Sequence, residues 1–171
     1  VHDLPWTPLF VDTEFTSFGR MELVSIGAVT LDGREFYAES SDHDVADRSD
    51  FVRATVVPLL RGGVWSMPTG VIGARLCDWI DALGGDYRVV CDYSGDWRLV
   101  TTLLDGRWPE HLARSQYTWT YGLATHGPAE VQEAKRRAWT AVQAHFALEP
   151  QHHALHDARA MRAGWIAENA P

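Results

Sequence analysis

Apolar and polar positions alternate with period two through the first forty residues, and with a helical period after about residue 70. Residues 9–14 (LFVDTE) form a short β-rich run that ends in acids. Residues 22–30 (ELVSIGAVT) read as a second strand, and LDGR at 31–34 is a hairpin turn with Gly33 where a positive φ is needed. Residues 35–39 (EFYAE) alternate again. Three strands joined this tightly predict an antiparallel meander, with the acidic end of the first strand near an edge of the core.

Ile72, Leu76, Trp79, Ile80 and Leu83 then share one face of a helix over 71–83, which Gly84 and Gly85 stop. Residues 87–91 (YRVVC) predict a short buried strand, 96–104 a helix, and 117–121 a final strand. An amphipathic helix over 129–146 starts after Pro128, and another runs over 153–168 after Pro150. This order predicts an α/β fold in which helices flank a mixed sheet. The loose stretches at 40–49, 61–70 and 105–109 read as loops within a single domain over 1–171, a length that favours one core.

Composition narrows the function. The chain is 46% hydrophobic and 22% charged, which excludes a disordered polymer. No apolar stretch approaches the roughly 18–20 residues of a membrane span, and no secretory leader is read at the start, so a membrane partner is not expected. Cys77 and Cys91 sit in apolar contexts and read as buried free thiols, which fits a reducing cytoplasm. With 15 Lys+Arg against 23 Asp+Glu, the formal charge is −8. That argues against gripping long nucleic acid through many phosphates, and leaves room for a nuclease whose carboxylates carry metal ions.

Three local signals bear on chemistry. Asp12-Thr13-Glu14 ends the first strand, where residues two apart face the same way, so both carboxylates project together. A solvated strand end is the alternative for this pair. Asp96 opens a helix after a buried strand, where an Asp is also a favoured N-cap, and Asp92 lies in the turn before it as turn former or outer acid. In QHHALHDARA at 151–160, His152 and Asp157 are separated by four residues and converge if His152 sits on the loop before the helix. The i, i+4 pair His152/His156 lacks the Glu that a zinc-peptidase helix needs after its first His, since His153 stands there.

Taken together, Asp12/Glu14, Asp96 and His152/Asp157 (the string HHALHDA) resemble the DEDDh family of 3′–5′ exonucleases, which have a ribonuclease H-like fold. Within it, DTEF at 12–15, MELVSIGAVTLDGREFYA at 21–38 and YSGDW at 93–97 resemble the small stand-alone bacterial 3′–5′ exoribonucleases, including the mycobacterial adenylate-preferring type. The resemblance implies two Mg²⁺ or Mn²⁺ ions per active site, with Asp12 bridging both, Glu14 and Asp157 on one side and Asp96 on the other. His152 would be the general base on the attacking water, and a nucleoside 5′-monophosphate the product. A related subgroup uses Tyr-x3-Asp, which places His153 as the rival, but the x4 spacing is the histidine form. Asp92 stands where many relatives carry Asn.

The same resemblance makes Phe15, Thr16, Phe18 and Met21 candidates for sugar and base contacts, with Glu22 nearby and Trp97 packing under the site. Core packing is the alternative for the phenylalanines. Arg20, Arg98 and Arg159 are candidate phosphate contacts or plain solvated arginines. The implied partner is the 3′ end of single-stranded RNA, with a footprint of a few nucleotides, acted on by a homodimer. A DNA exonuclease of the same fold and a non-catalytic RNA-end-binding module are the competing readings.

Overall fold

The computed structural model describes residues 4–170. Strands β1 (Thr7–Phe15), β2 (Leu23–Thr30) and β3 (Glu35–Ser40) form the predicted meander. The β2–β3 hairpin closes with the Gly33 N–H donating to the Thr30 carbonyl at 3.0 Å and Gly33 at φ 90°. A two-residue strand β4 (Ser66–Met67) precedes α1 (Thr69–Leu83), then come β5 (Tyr87–Cys91), α2 (Ser94–Leu103), β6 (Tyr117–Thr118), α3 (Ala129–Phe146) and α4 (Ala154–Glu168).

The six strands lie in the order β4-β3-β2-β1-β5-β6. β1 pairs antiparallel with β2 and parallel with β5, so the sheet is mixed, as expected. The acidic strand is therefore central in the sheet, and its acidic end, half-buried, runs on past β5. Side chains leave β1 alternately on two faces. Leu9 and Val11 enter a core with α1 and α2, while Phe10 enters a second core with α3 and α4. This architecture is compatible with a ribonuclease H-like fold.

Several boundaries differ from the sequence expectation. α2 begins two residues early, at Ser94, which puts Asp96 in its first turn; the N-cap position belongs to Tyr93, without a side-chain cap bond. β6 stops at Thr118, because Trp119 turns into the second core. The stretch read as loop at 40–49 holds a short 3-10 turn, Val45–Asp47, and is followed by a π-helical turn, Val52–Val56, with Val52 and Val56 buried against Val24. Both cysteines are free and buried. No helix among the described residues is long and apolar enough to cross a membrane.

Candidate metal centre

The site forms where β1 outruns β5. Their pairing covers only Thr7–Phe10 against Tyr87–Val90, yet β1 continues to Phe15 along β2. Beyond Phe10 that flank of β1 lacks a strand, and Asp96 takes the place of one. Its Oδ1 accepts from the Thr13 N–H at 3.2 Å and the Thr13 hydroxyl at 2.6 Å.

On the other face, Gly27 of β2 stands opposite Asp12 in the ladder. A Cβ at Gly27 would overlap the backbone of Ala154 and Leu155, so the bare glycine is what lets the start of α4 lie on the sheet beside Asp12. Asp157, in the first turn of α4, reaches back and accepts from the His152 N–H at 3.0 Å. The bond ties His152, the residue before the N-cap His153, to the first turn of the helix.

Among the described residues, two groups of side chains are close enough to hold a cation. Glu14, His152 and Asp157 offer ligand atoms within 4.8 Å of one another, and so do Asp12, Asp92 and Asp96. All five predicted residues are thus in these groups. Asp92, read from sequence as a turn former or outer acid, also contributes to one. Two carboxylates are tethered by one oxygen only: Oδ2 of Asp96 and Oδ1 of Asp157 are buried without a hydrogen-bond partner. A bare buried carboxylate oxygen is expensive to leave in a protein interior.

The electrostatics express the same tension. Burial, then the charges of Asp96, Asp157, Glu14 and Asp92, hold the Asp12 carboxyl well above the usual carboxylate range. Burial with Asp157 and Asp96 pushes Glu14 up to about 8. Asp96 and Asp157 are raised to about 7, chiefly by burial, against the lowering effect of the donors from Thr13 and His152. Asp92 is raised too, by burial. Hard oxygen donors at this density are compatible with a divalent cation, which would offset the repulsion that raises these pKa values.

The structure separates the two histidines. His152, at φ 67°, belongs to the acidic group, and burial lowers its pKa. His153 is 2% exposed and stacks between Tyr37 at 4.6 Å and His156 at 4.0 Å, and burial drives its pKa down to about 4.

The predicted substrate contacts divide. Phe15 and Phe18 meet edge to face at 5.3 Å, and Tyr93, which the sequence reading did not single out, completes a trio at 6.2 Å from each. Met21 lies beside this trio: a Cβ on Gly95 would meet its Cε and the Tyr93 ring together. Met21 and Glu22 also line a cavity of about 300 Å³ with Leu23, His43 and Leu99. Thr16 is fully buried, its hydroxyl accepting from the Glu22 N–H at 3.2 Å, and is not brought to the surface of the site. Trp97 packs on Trp108 at 5.7 Å and faces a cavity lined by Thr101, Leu104, Arg107 and Arg114, none of them a candidate metal ligand. Arg20 is paired with Asp47, and Arg159 with Glu35 and Glu149. Arg98 has its guanidinium 4.0 Å from the Met21 sulfur.

No protein-family profile matches the chain. Two curated relatives from two strains of Mycobacterium tuberculosis, each named a 3′-5′ exoribonuclease, are 48% identical to it over 52 residues. The matched stretch is 30% of this chain and 31% of each relative, so the chain matches about a third of the length of these relatives. That partial likeness supports an exoribonuclease relationship.

Proposed function

We propose that this chain is a divalent-metal-dependent 3′–5′ exoribonuclease of the DEDDh type, working as one domain at the 3′ end of single-stranded RNA. The observation that carries the reading is the pair of tethered acids. Asp96 and Asp157 each spend one oxygen on a positioning bond and leave the other buried and unpaired beside Asp12 and Glu14. Those bare oxygens, and the raised pKa values around them, fit Mg²⁺ or Mn²⁺ held by Asp12, Glu14, Asp96 and Asp157, with Asp92 close by. When bound, such ions supply charge stabilisation to the attacking and leaving oxygens of a phosphodiester.

The chain's own groups do the rest. Thr13 fixes the Asp96 carboxylate, and the His152 N–H fixes that of Asp157. The His152 imidazole, kept neutral by burial, takes the proton of the attacking water at a ring nitrogen. Phe15, Phe18 and Tyr93 offer rings on which the terminal bases stack, a contact that tolerates any base. The products are nucleoside 5′-monophosphates. RNA is preferred to DNA in this reading because the named relatives are exoribonucleases.

The test is incubation of the chain with Mn²⁺ and matched 5′-labelled RNA and DNA oligomers. RNA shortens stepwise from the 3′ end, and D157A abolishes the shortening. H152A lowers turnover by about 10²–10⁴, the usual yield of a positioned general base, while the folded fraction of H153A keeps it. Absence of shortening on either substrate would falsify the reading, and faster shortening of DNA would reassign its substrate.

A further inference from the structure

We infer that Phe51 is a positioning residue for His152: its ring holds the imidazole from outside the core, in register with the acids. The kinetic side of this inference rests on the exonuclease reading above. Asp157 holds the backbone N–H of His152, but the structure gives neither ring nitrogen a protein hydrogen-bond partner among the described residues. The Glu14 and Asp157 carboxylates lie within 4.8 Å of a ring nitrogen, but among the described residues no hydrogen bond to a carboxylate fixes the ring, as one does in many working histidines. What the ring does meet is Phe51, at 4.9 Å between centroids and 87° between planes, the edge-to-face geometry that aromatic pairs prefer.

Phe51 is 54% exposed, so core packing does not account for its place. It directly precedes the π-helical turn Val52–Val56, a rare local conformation that often marks functional positions. Val52 and Val56 anchor that turn on Val24, in a small cluster apart from the two main cores. The same segment is fastened to the chain after β1. The Ser49 N–H donates to the Thr16 carbonyl at 2.8 Å, the Asp44 N–H to Glu22 Oε2 at 2.8 Å, and Arg20 pairs with Asp47 at 3.2 Å. Residues 44–56 are thus a strap with one end on residues 16–22, beside the Phe15–Phe18 platform, and Phe51 on the histidine. The ring contact at His152 thus comes from this strap, a segment apart from those that carry the acids, so the two can be perturbed separately.

The experiment uses the full chain with saturating Mn²⁺ and 5′-labelled RNA. F51A lowers kcat about tenfold, part of the ~10²–10⁴ a positioned base supplies, with KM unchanged within about twofold. F51Y restores most of the loss. In an H152A background F51A lowers kcat no further. A rise in KM at constant kcat would instead make Phe51 a base-stacking contact and overturn the inference, as would an equal loss in the H152A background. Proton NMR of the metal-free chain gives an independent answer, since Phe51–His152 ring contacts are expected in wild type and their ring-current shift is lost in F51L. If wild type shows no nuclease activity the exonuclease reading falls, yet these NMR contacts still decide whether Phe51 holds the imidazole.

Discussion

The Asp96 carboxylate is bonded to Thr13, the residue between the two acids of β1, through both the Thr13 N–H and its hydroxyl. Helix α2 thereby delivers its acid to the strand. The hydroxyl also favours the ionised carboxylate, which is the form a cation needs. Thr13→Val keeps the shape and removes that donor. A hydrogen bond to a charged group contributes about 1.5–3 kcal/mol, so Mn²⁺ binding at pH 6.5 should weaken roughly tenfold or more. The deficit shrinks as pH rises, because more of Asp96 is then ionised in both proteins. Equal Mn²⁺ affinities at pH 6.5 would dispose of this account.

Gly27 makes a harder prediction. Its missing side chain is the space the α4 backbone occupies, and a methyl there meets main chain that cannot rotate away. Gly27→Ala should destabilise the fold by about 1–3 kcal/mol or more and shift Asp157 away from Glu14. Gly70, in the first turn of α1, has open space around it, and Gly70→Ala should leave stability unchanged or raise it slightly. Thermal melts of the two variants separate the cases. A Gly27→Ala protein that melts like wild type would show that α4 does not depend on this approach.

What the sequence made legible was local. Period-two alternation placed Asp12 and Glu14 on one face, and the x4 spacing put His152 one loop residue ahead of a helix that carries Asp157. Both depend on neighbours a few residues away, and both survive in the structure. The position of β1 between β2 and β5 was not legible, because pairing with β5 joins segments some eighty residues apart. The same distance hides the role of Thr13 as the anchor of Asp96. Trp97 shows the limit in another form. Adjacency to Asp96 in sequence implies adjacency to the site, but successive helical residues point about 100° apart, and Trp97 turns to Trp108. Asp92 read as a turn residue because turn chemistry and ligation use the same carboxylate, and only the fold brings it toward Asp12.

The acidic cluster predicts a pH-dependent stability with a definite sign. Glu14 at about 8, and Asp96 and Asp157 at about 7, all lie above their unfolded values near 4. Between those limits the folded chain binds more protons than the unfolded one, so stability is greatest at low pH and is lost as pH rises through 7 and 8. His152 and His153 act oppositely, their lowered pKa values costing stability as pH falls below about 6.5. The clean window is therefore pH 6.5 to 8.5. In EDTA, Tm should fall across it, and millimolar Mn²⁺ should raise Tm more at pH 8.5 than at 6.5, because the ion replaces protons already gone. A metal-free Tm that stays level or climbs across the window would contradict the raised pKa values.

The aromatic trio beside the acids gives the last prediction, and it depends on the exoribonuclease reading. Phe18 is 79% exposed and Tyr93 is 42% exposed, so neither owes its place to the core. Removing an exposed ring changes stability by about 0.5 kcal/mol or less. Stacking on a base, by contrast, contributes about 1–3 kcal/mol when lost to alanine. Phe18→Ala should therefore raise KM for RNA by about 5- to 160-fold with kcat and Tm nearly unchanged. Gly95→Ala tests the same platform without removing a ring. Its methyl would collide with the Tyr93 ring and the Met21 terminal carbon, so the ring is expected to be displaced from its stack on Phe15. It should reproduce the KM defect, and adding Tyr93→Ala to it should make that defect little worse, since both changes remove one surface. Additive effects of the two substitutions would mean that Gly95 and Tyr93 serve separate contacts, and an unchanged KM in Phe18→Ala would mean that the exposed ring does not carry a base.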